Sequence, residues 1–400
     1  MKKLIFNLIL LIFIISVILI ATLLTIGVET NKFNKLISDK ALLTKNINIK
    51  LDTIKFKIDP KEFSLFLETQ NPEITYRDVL VPVQNIKAYV DFLSLLKSDP
   101  KIKKTSFVLA ELDIIQLKKL SIMIKPSNFK SILNNKIKEG KLISEIEVFL
   151  TDQGSFENFI ARGTLKDFKV ELFSGLNFTK ANMNFFADKN DILIKNIFGN
   201  LEDIKISDGD IKFDLENGIK LDSNFNSNIN FDEKLFKKYS KFLNKYSFVN
   251  KIKSLKANLN NNITIELDKT YKVQDYNYSI SGKIEKSKFE LSESIKNNFI
   301  TEEIKEIYLS DLQIKTIFET KNISLNGEGK YSFNNMDFLK INLENKFKDD
   351  LLNLKLDFEY GNSLVLDLIN YKKPKNSIAN LSFDLKKNKE NIKIEKLYYK

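Results

Sequence analysis

The stretch NINIKLDTIKFKI, Asn46 to Ile58, alternates apolar and polar side chains along almost its whole length. Ile47, Ile49 and Leu51 share one face; Ile54, Phe56 and Ile58 share one after a slip at Thr53-Ile54. Successive side chains of an extended chain point to opposite sides, so period-two alternation reads as a strand with one apolar and one wet face. The slip predicts a turn or bulge, and Asp59-Pro60 ends the pattern.

The same element recurs downstream. Phe63, Leu65 and Leu67 alternate and stop before Asn71-Pro72. Ile86 to Leu96 reads as a strand, as do stretches within Ser106 to Ile114, Ile143 to Leu150, Phe156 to Leu165, Phe168 to Phe173 and Ala181 to Phe186. Ile192 and Ile194 belong to Ile192 to Phe198; Ile204 to Ile206 follows, then Ile211, Phe213 and Leu215. Ser207-Asp208-Gly209 and Glu216-Asn217-Gly218 read as turns. Spacing of about 8–15 residues with turn formers between strands is an all-β pattern. Leu255 to Leu259, Ile263 to Leu267 and Tyr276 to Ile284 continue it, and Ser294 to Tyr308 is ambiguous. Later strands cover Leu312 to Phe318, Ile323 to Leu325, Gly329 to Phe333 and Phe338 to Leu343. Leu354, Leu356 and Phe358 lie in Leu352 to Phe358; Leu364 to Leu368, Ile378 to Leu385 and Ile392 to Leu397 finish the chain.

Two segments depart from alternation. Pro126 to Lys138 puts Phe129, Ile132, Leu133 and Ile137 at helical spacing, with Gly140 as terminator. Asp232 to Tyr246 does the same with Leu235, Phe236, Tyr239, Phe242, Leu243 and Tyr246, and Asp232 is a suitable N-cap. Five lysines lie opposite that aromatic stripe, so the helix either rests on a membrane surface or covers a sheet edge.

Upstream, Leu4 to Val28 contains no ionisable side chain. A helix needs about 20 such residues to cross a bilayer. Leu8, Ile12, Ile15, Leu19 and Leu23 would face lipid. Met1-Lys2-Lys3 supplies the basic start of a signal peptide, but the apolar run exceeds the usual 7–15 residues and no Ala-x-Ala follows it. The expectation is an uncleaved, single-pass anchor. Lys2 and Lys3 favour a cytoplasmic N-terminus, which places the body outside the cytoplasm.

The 400 residues carry a formal charge of +11, with 32 Phe, no Cys and no His. The absence of Cys and His removes thiolate chemistry, disulfides, the commonest metal ligand and the usual neutral-pH base. Without a nucleic-acid motif the basic balance points to no nucleic-acid partner. No phosphate-cradling glycine spacing occurs. Asp203, Asp208 and Asp210 lack the twelve-position calcium pattern. Glu111 and Asp113 are the one candidate carboxylate pair, in a chain with 52 acidic residues. The expectation is no catalytic residue, no metal and no cofactor.

The anchor followed by NIKLDTIKFKIDPKEFSLFLETQNPEITYRDVLVPVQNIKAYVDFLSLLKSDPKIKKTSFVLAELDI resembles the leading segment of the AsmA-like proteins, through Asn71, Pro72 and Ile74, then Ile86 to Leu96, then Ile102 to Ile114. GSFENFIARGTLKDFKVEL (Gly154 to Leu172) and FFADKNDILIKNIFGNLEDIKISDGDIKFDL (Phe185 to Leu215) are similar to the repetitive domain of larger members, the YhdP and TamB groups. The likeness covers Leu4 to about Asp232 and rests on hydrophobic patterns. It implies an inner-membrane anchor in a Gram-negative envelope and a periplasmic β-groove that carries phospholipid. The larger members are longer than this chain, which by this resemblance needs a partner, acts locally or is an incomplete copy.

The expected fold is mainly β: a transmembrane helix, then an elongated, curved antiparallel sheet forming a groove, with a few covering helices. The expected divisions are residues 1–28 (anchor), 29–231 (AsmA-like β-rich region), 232–246 (amphipathic helix) and 247–400 (further sheet). Ile47, Ile49, Leu51, Phe63, Leu65, Leu67, Ile192, Ile194, Ile211, Phe213, Leu215, Leu354, Leu356 and Phe358 are the expected groove lining. Membrane phospholipid is the expected partner; a structural protein binding another envelope protein is the alternative.

Overall fold

The apolar run at the start of the chain forms α1 (Lys2–Thr25). In this computed structural model none of its most apolar window is buried against the body. Leu8, Ile12, Ile15 and Leu19 are each over half exposed. By length and composition α1 is suited to cross a membrane. The N–H groups of Ile26 and Gly27 both donate to the Thr22 carbonyl, at 3.0 and 2.8 Å. Gly27 has φ 79°, the left-handed glycine that commonly closes a helix. A Cβ there would stand 2.7 Å from Lys57 Cγ, so the joint is close-fitting as well as left-handed.

The structure describes every residue except 1, 31–33, 35–46, 52, 61–63, 77–78, 91–100, 122–127, 174, 217, 244–250, 269–271, 297–298, 301, 368–369, 376 and 389–390. Phe63, the end of the Ile86 to Leu96 strand and the last turn of the helix expected up to Tyr246 lie outside the described residues. The chain divides into two compact units, Met1–Ile194 and Lys195–Lys400.

The first unit holds β1 (Val28–Thr30), β2 (Ile47–Lys50), β3 (Ile54–Asp59), β4 (Ser64–Gln70), β5 (Glu73–Tyr76), β6 (Val79–Val90), β7 (Ile102–Leu109), β8 (Leu112–Asp113), β9 (Ile137–Leu150), β10 (Phe156–Phe173) and β11 (Leu176–Ala187). Antiparallel pairing runs β1-β3-β4-β6-β7-β9-β10-β11. β8 adds to β9, while β2 and β5 add to the first residues of β6. Helices α2 (Ile114–Leu120) and α3 (Asn128–Asn135) contact β9. The unit boundary falls within β12 (Asp191–Leu201).

The second unit holds β13 (Ile204–Asp214), β14 (Ile219–Phe231), α4 (Glu233–Leu243), β15 (Ile252–Leu267), β16 (Val273–Ile295), β17 (Ile304–Glu319), β18 (Asn322–Phe333), β19 (Leu339–Lys348), β20 (Leu351–Tyr360), β21 (Leu364–Leu366), β22 (Tyr371–Lys373), β23 (Ala379–Lys387) and β24 (Ile392–Tyr399). Strands β13 to β20 pair each with the next, then β20 with β23 and β23 with β24. β21 and β22 form a separate ribbon. Among the described residues these pairings close no barrel.

The strands are longer than the sequence pattern implied. Phe156 to Leu165 and Phe168 to Phe173 are one strand of 18 residues. Ser207-Asp208-Gly209 is not a hairpin turn but a bulge inside β13, where the register slips between Ser207 and Asp210. β16 runs for 23 residues. The reason is local: Asp167, Lys180, Asn196, Asp208 and Asp311 sit inside strands at φ between 51° and 55°. An extra left-handed residue interrupts alternation, increases twist and bends the strand without ending it. Each is followed by a buried residue: Phe168, Ala181, Ile197, Gly209 and Leu312.

Two helix expectations need correction. The helix in Pro126 to Lys138 ends at Asn135; Ile137 and Gly140 lie in β9, where Gly140 makes room for the Phe168 ring. The segment read as a strand up to Ile114 turns into α2. Its N-terminus is a capping box in which Asp113 accepts from the Gln116 N–H at 2.8 Å and Gln116 accepts from the Asp113 N–H at 3.2 Å.

Candidate functional site: the apolar sheet faces

The side chains that alternate inward on the second unit's strands form rows that cross the sheet. One row starts with Ile206, Ser227, Leu259 and Gly282. It continues through Ile314, Gly327, Leu343, Leu356 and Phe383 to Leu397. Ten strands at about 4.8 Å spacing make such a row about 43 Å long. Ile341, Leu343, Leu354, Leu356, Phe358, Leu381 and Phe383 are only half-buried. An apolar face packed against a second layer would be buried, so here the face is open.

One end of these strands is covered. Phe231 of β14 meets Phe236 of α4 edge-on at 5.4 Å and stacks on Tyr239 at 5.5 Å. Asp232 caps α4 by accepting from the Leu235 N–H at 2.9 Å. Lys238 and Tyr239 both bond to Asp203, which ties the helix to the β12–β13 turn. The Lys238 ammonium and the Tyr239 hydroxyl hold the Asp203 carboxyl below the usual carboxylate range. Of the two roles open to this helix, the described part covers one end of the sheet face.

The same row of pairing runs from Phe231 through Leu255, Ser287 and Leu309 to Tyr331. At Tyr331 the cover is different. Tyr331 packs edge-on with Phe333 and Phe358, and its hydroxyl donates to the Glu359 carbonyl at 2.6 Å. The β21–β22 ribbon is joined to Phe299 by a backbone hydrogen bond from Val365. Lys373 at its end is 1% exposed, donating to the Asn362 and Pro374 carbonyls. Burial pushes the Lys373 ammonium down and the Tyr331 and Tyr360 phenols up. At the other end of the strands Tyr276, Ile323 and Phe347 are 38–40% exposed. The face is thus walled along one side and open along the other.

A polar knot interrupts the apolar face. Asn261 is buried at an inward position, where its amide donates to Ser227 Oγ at 3.0 Å and its carbonyl accepts from the Tyr278 hydroxyl at 2.8 Å. Burial raises the Tyr278 pKa and keeps it a donor. Replacing Asn261 by Leu strands both partners in an apolar setting. The expected cost is about 1–3 kcal/mol, read as a lower midpoint in denaturant unfolding of N261L against the parent.

In the first unit the inward row runs from Val28 through Phe56, Leu67, Ala88 and Thr105 to Val148. Its other face is not simply wet. Phe66 and Tyr89 are buried there with ring centroids 5.4 Å apart, and Lys104 lies 4.1 Å above Tyr89. Glu68 is 2.7 Å from Lys57. Burial pushes the Glu68 carboxyl up, but its bonds to Lys57 and Asn85 outweigh that and leave it lowered.

Of the expected lining, Leu65 and Leu67 share the inward face of β4 opposite Ile58 and Phe56. Ile211 and Phe213 stand opposite Ser223 and Leu221, and Leu354, Leu356 and Phe358 opposite Leu385, Phe383 and Leu381. Ile192 and Ile194 are half-buried on β12. Ile47 and Ile49 pair instead with Tyr76 and Ile74 in the side ladder of β2 and β5. Leu51 follows β2, outside any strand, and Leu215 lies beyond the end of β13. Alternation identified the faces but not which ladder a short strand joins.

The candidate acids have structural partners. Glu111 bonds to Lys141, Asp113 caps α2, Asp208 accepts from Asn226, and Asp210 accepts from the Asn196 N–H. Among the described residues no group of three or more His, Cys, Asp or Glu side chains is placed to hold a metal. A depression of about 700 Å³ lies on the opposite, polar face, between rows that include Gln313, Glu328, Asn342 and Asp357. It is a gap between polar rows of mixed charge, with Lys340 and Glu359 in contact at its edge. No family model matches the chain, and neither a curated protein nor a solved structure matches it.

Proposed function

We propose that the chain is an AsmA-like protein, anchored in a bacterial inner membrane with its body in the periplasm, that binds or conducts phospholipid acyl chains without covalent chemistry. The observation that carries this is the open apolar face of the second unit, which crosses ten strands. Such a face is rarely left idle in water. Its length is about three times the hydrocarbon thickness of one leaflet, about 15 Å, so an acyl chain can lie within it entirely. Each CH₂ moved from water to the face gains about 0.8 kcal/mol. Two features support an uncleaved anchor: α1 passes through Gly27 straight into β1, and β1 is itself the edge strand against β3. The open side of the strands offers lateral access, whereas the aromatic cover at Phe231 and Tyr331 closes the other.

The alternation supplies its own control. A photoreactive residue at Leu343 or Leu356 points inward, while one at Glu344 or Lys355 on the same strands points to water. Irradiation of membranes holding the full chain is expected to give phospholipid adducts, detected by mass spectrometry, at the first two positions only. Equal labelling on both faces, or protein adducts without lipid at Leu343 and Leu356, would overturn the proposal.

A further inference from the structure

Among the described residues, the inward rows of the second unit hold a single ionised side chain. Along the open side, one row runs from Ile323 through Phe347 and Leu352 to Lys387 and Ile392. The other positions paired into the inward rows of β13 to β20, β23 and β24 are apolar, glycine or neutral polar; Lys387 alone is charged. It is exposed. Its neighbour on the polar face, Lys386, is paired with Glu395 at 2.8 Å. No ion pair or hydrogen bond holds Lys387 among the described residues.

A second unpartnered polar group lies one row further in. Asn345 of β19 stands opposite Leu325 and Leu354, and Leu354 stands opposite Leu385, two residues before Lys387. The Asn345 side-chain carbonyl oxygen is shut off from water and has no hydrogen-bond partner among the described residues. Asn261, the other inward asparagine of these rows, is satisfied by Ser227 and Tyr278. A polar atom buried without a bond is costly, and an amide can both donate and accept. Asn345 and Lys387 are about 12 Å apart at the backbone, two strands across and one step along. The four-carbon stem of Lys387 spans much of that gap.

We propose that Lys387 and Asn345 form a headgroup site at the open side of the apolar face: the ammonium takes the phosphate of a phospholipid, and the amide the ester-linked glycerol beside it. The inference rests on the acyl-chain reading of the same face and gives it a direction. A charge-assisted bond to phosphate suits a lone ammonium, whose apolar stem can lie along Leu352 and Ile392. A purely hydrocarbon occupant would gain nothing from it. From Lys387 the nine-residue β23 runs to Ala379, which pairs with Tyr360 at the walled side. That distance is about 27 Å, against the roughly 15 Å of one leaflet's hydrocarbon. Chains whose headgroup sits at Lys387 therefore lie full length along the strands, with their methyl ends toward the aromatic wall.

In the test, the full chain carries a photoreactive residue at Leu356, in detergent micelles holding equal amounts of phosphatidylglycerol and of diacylglycerol with the same tails. Phospholipid adducts are expected to outnumber diacylglycerol adducts about threefold to fivefold. Lys387→Ala should bring the ratio close to parity and Asn345→Leu should lower it, with total labelling kept. Lys387→Arg should preserve the ratio, and so should Lys386→Ala, one residue away on the polar face. Parity in the parent, or a preference that survives either of the first two variants, would overturn the headgroup site and leave the acyl-chain reading standing. So would a preference abolished by inorganic phosphate but not by chloride of equal ionic strength, which would assign the pair to free phosphate. Absence of both lipid adducts would remove the acyl-chain reading itself, and this inference with it.

Discussion

An aspartate in place of Leu356 is expected to abolish the proposed acyl-chain capture while leaving the sheet folded. Leu356 lies mid-row between Leu343 and Phe383, half-buried and with its side chain on the open face. A carboxylate there is too short to reach around to water on the polar side, as a lysine could. It would hold its hydration shell where CH₂ groups must lie, so each displaced methylene forfeits about 0.8 kcal/mol. Losing contact with only two or three of them lowers lipid occupancy at least about tenfold. Because water already reaches Leu356 in the absence of lipid, the folding penalty stays well below that of a buried charge. The measurement is phospholipid recovered per chain from photolabelled membranes, with Lys355→Asp on the opposite face as control. Parent-level recovery with L356D would sink the acyl-chain reading for this face.

Valine at Gly282 is expected to have the largest effect on stability. Gly282 is at φ 148°, and a Cβ built on it would stand 2.3 Å from the Asn258 carbonyl oxygen and 2.9 Å from Leu259 Cα. Both obstacles are backbone of the neighbouring strand, in the longest pairing of the second unit. Valine adds β-branching to a conformation that L-residues rarely adopt. Relief requires separating β15 from β16, at a cost of about 4 kcal/mol or more. Gly361→Val is the comparison, since its nearest neighbour is the end of the flexible Leu339 side chain at 3.2 Å. Chemical denaturation should find G282V largely unfolded under conditions where G361V keeps its strand signal.

The faces were legible in the sequence, and the strand lengths were not. Ile211 with Phe213, and Leu354 with Leu356 and Phe358, read as sharing one face because nothing disturbs alternation inside those short windows. The pattern broke wherever a polar residue does an inward job. Asn261 lies in the run Asn260 to Asn262, which looks like a linker, yet its amide is satisfied by Ser227 and Tyr278 across three strands. No local signal reports such partners. The Asp113-to-Gln116 spacing, in contrast, is a readable helix start, masked by the strand pattern that runs into Ile114. Ile47 and Ile49 have the right periodicity but join a side ladder, a choice made by β5 and β6 rather than by β2.

The bulges also bear on how this chain can tolerate change in length. Asp208 and Asp311 act as phase markers: beyond each, the identities of inside and outside are exchanged relative to simple alternation. Loss of Asp311 would remove the extra residue and leave Ile314, Thr316 and Phe318 facing as before, whereas loss of Gln313 with the bulge kept would turn Lys315 toward the apolar face and Thr316 and Phe318 away from it. Deletion at the bulge is thus a local event, but deletion in a regular stretch rewrites the remainder of the strand. Single-residue indels in the regular stretches therefore behave like frameshifts of the surface, and length variation belongs at the bulges and in the connections between strands.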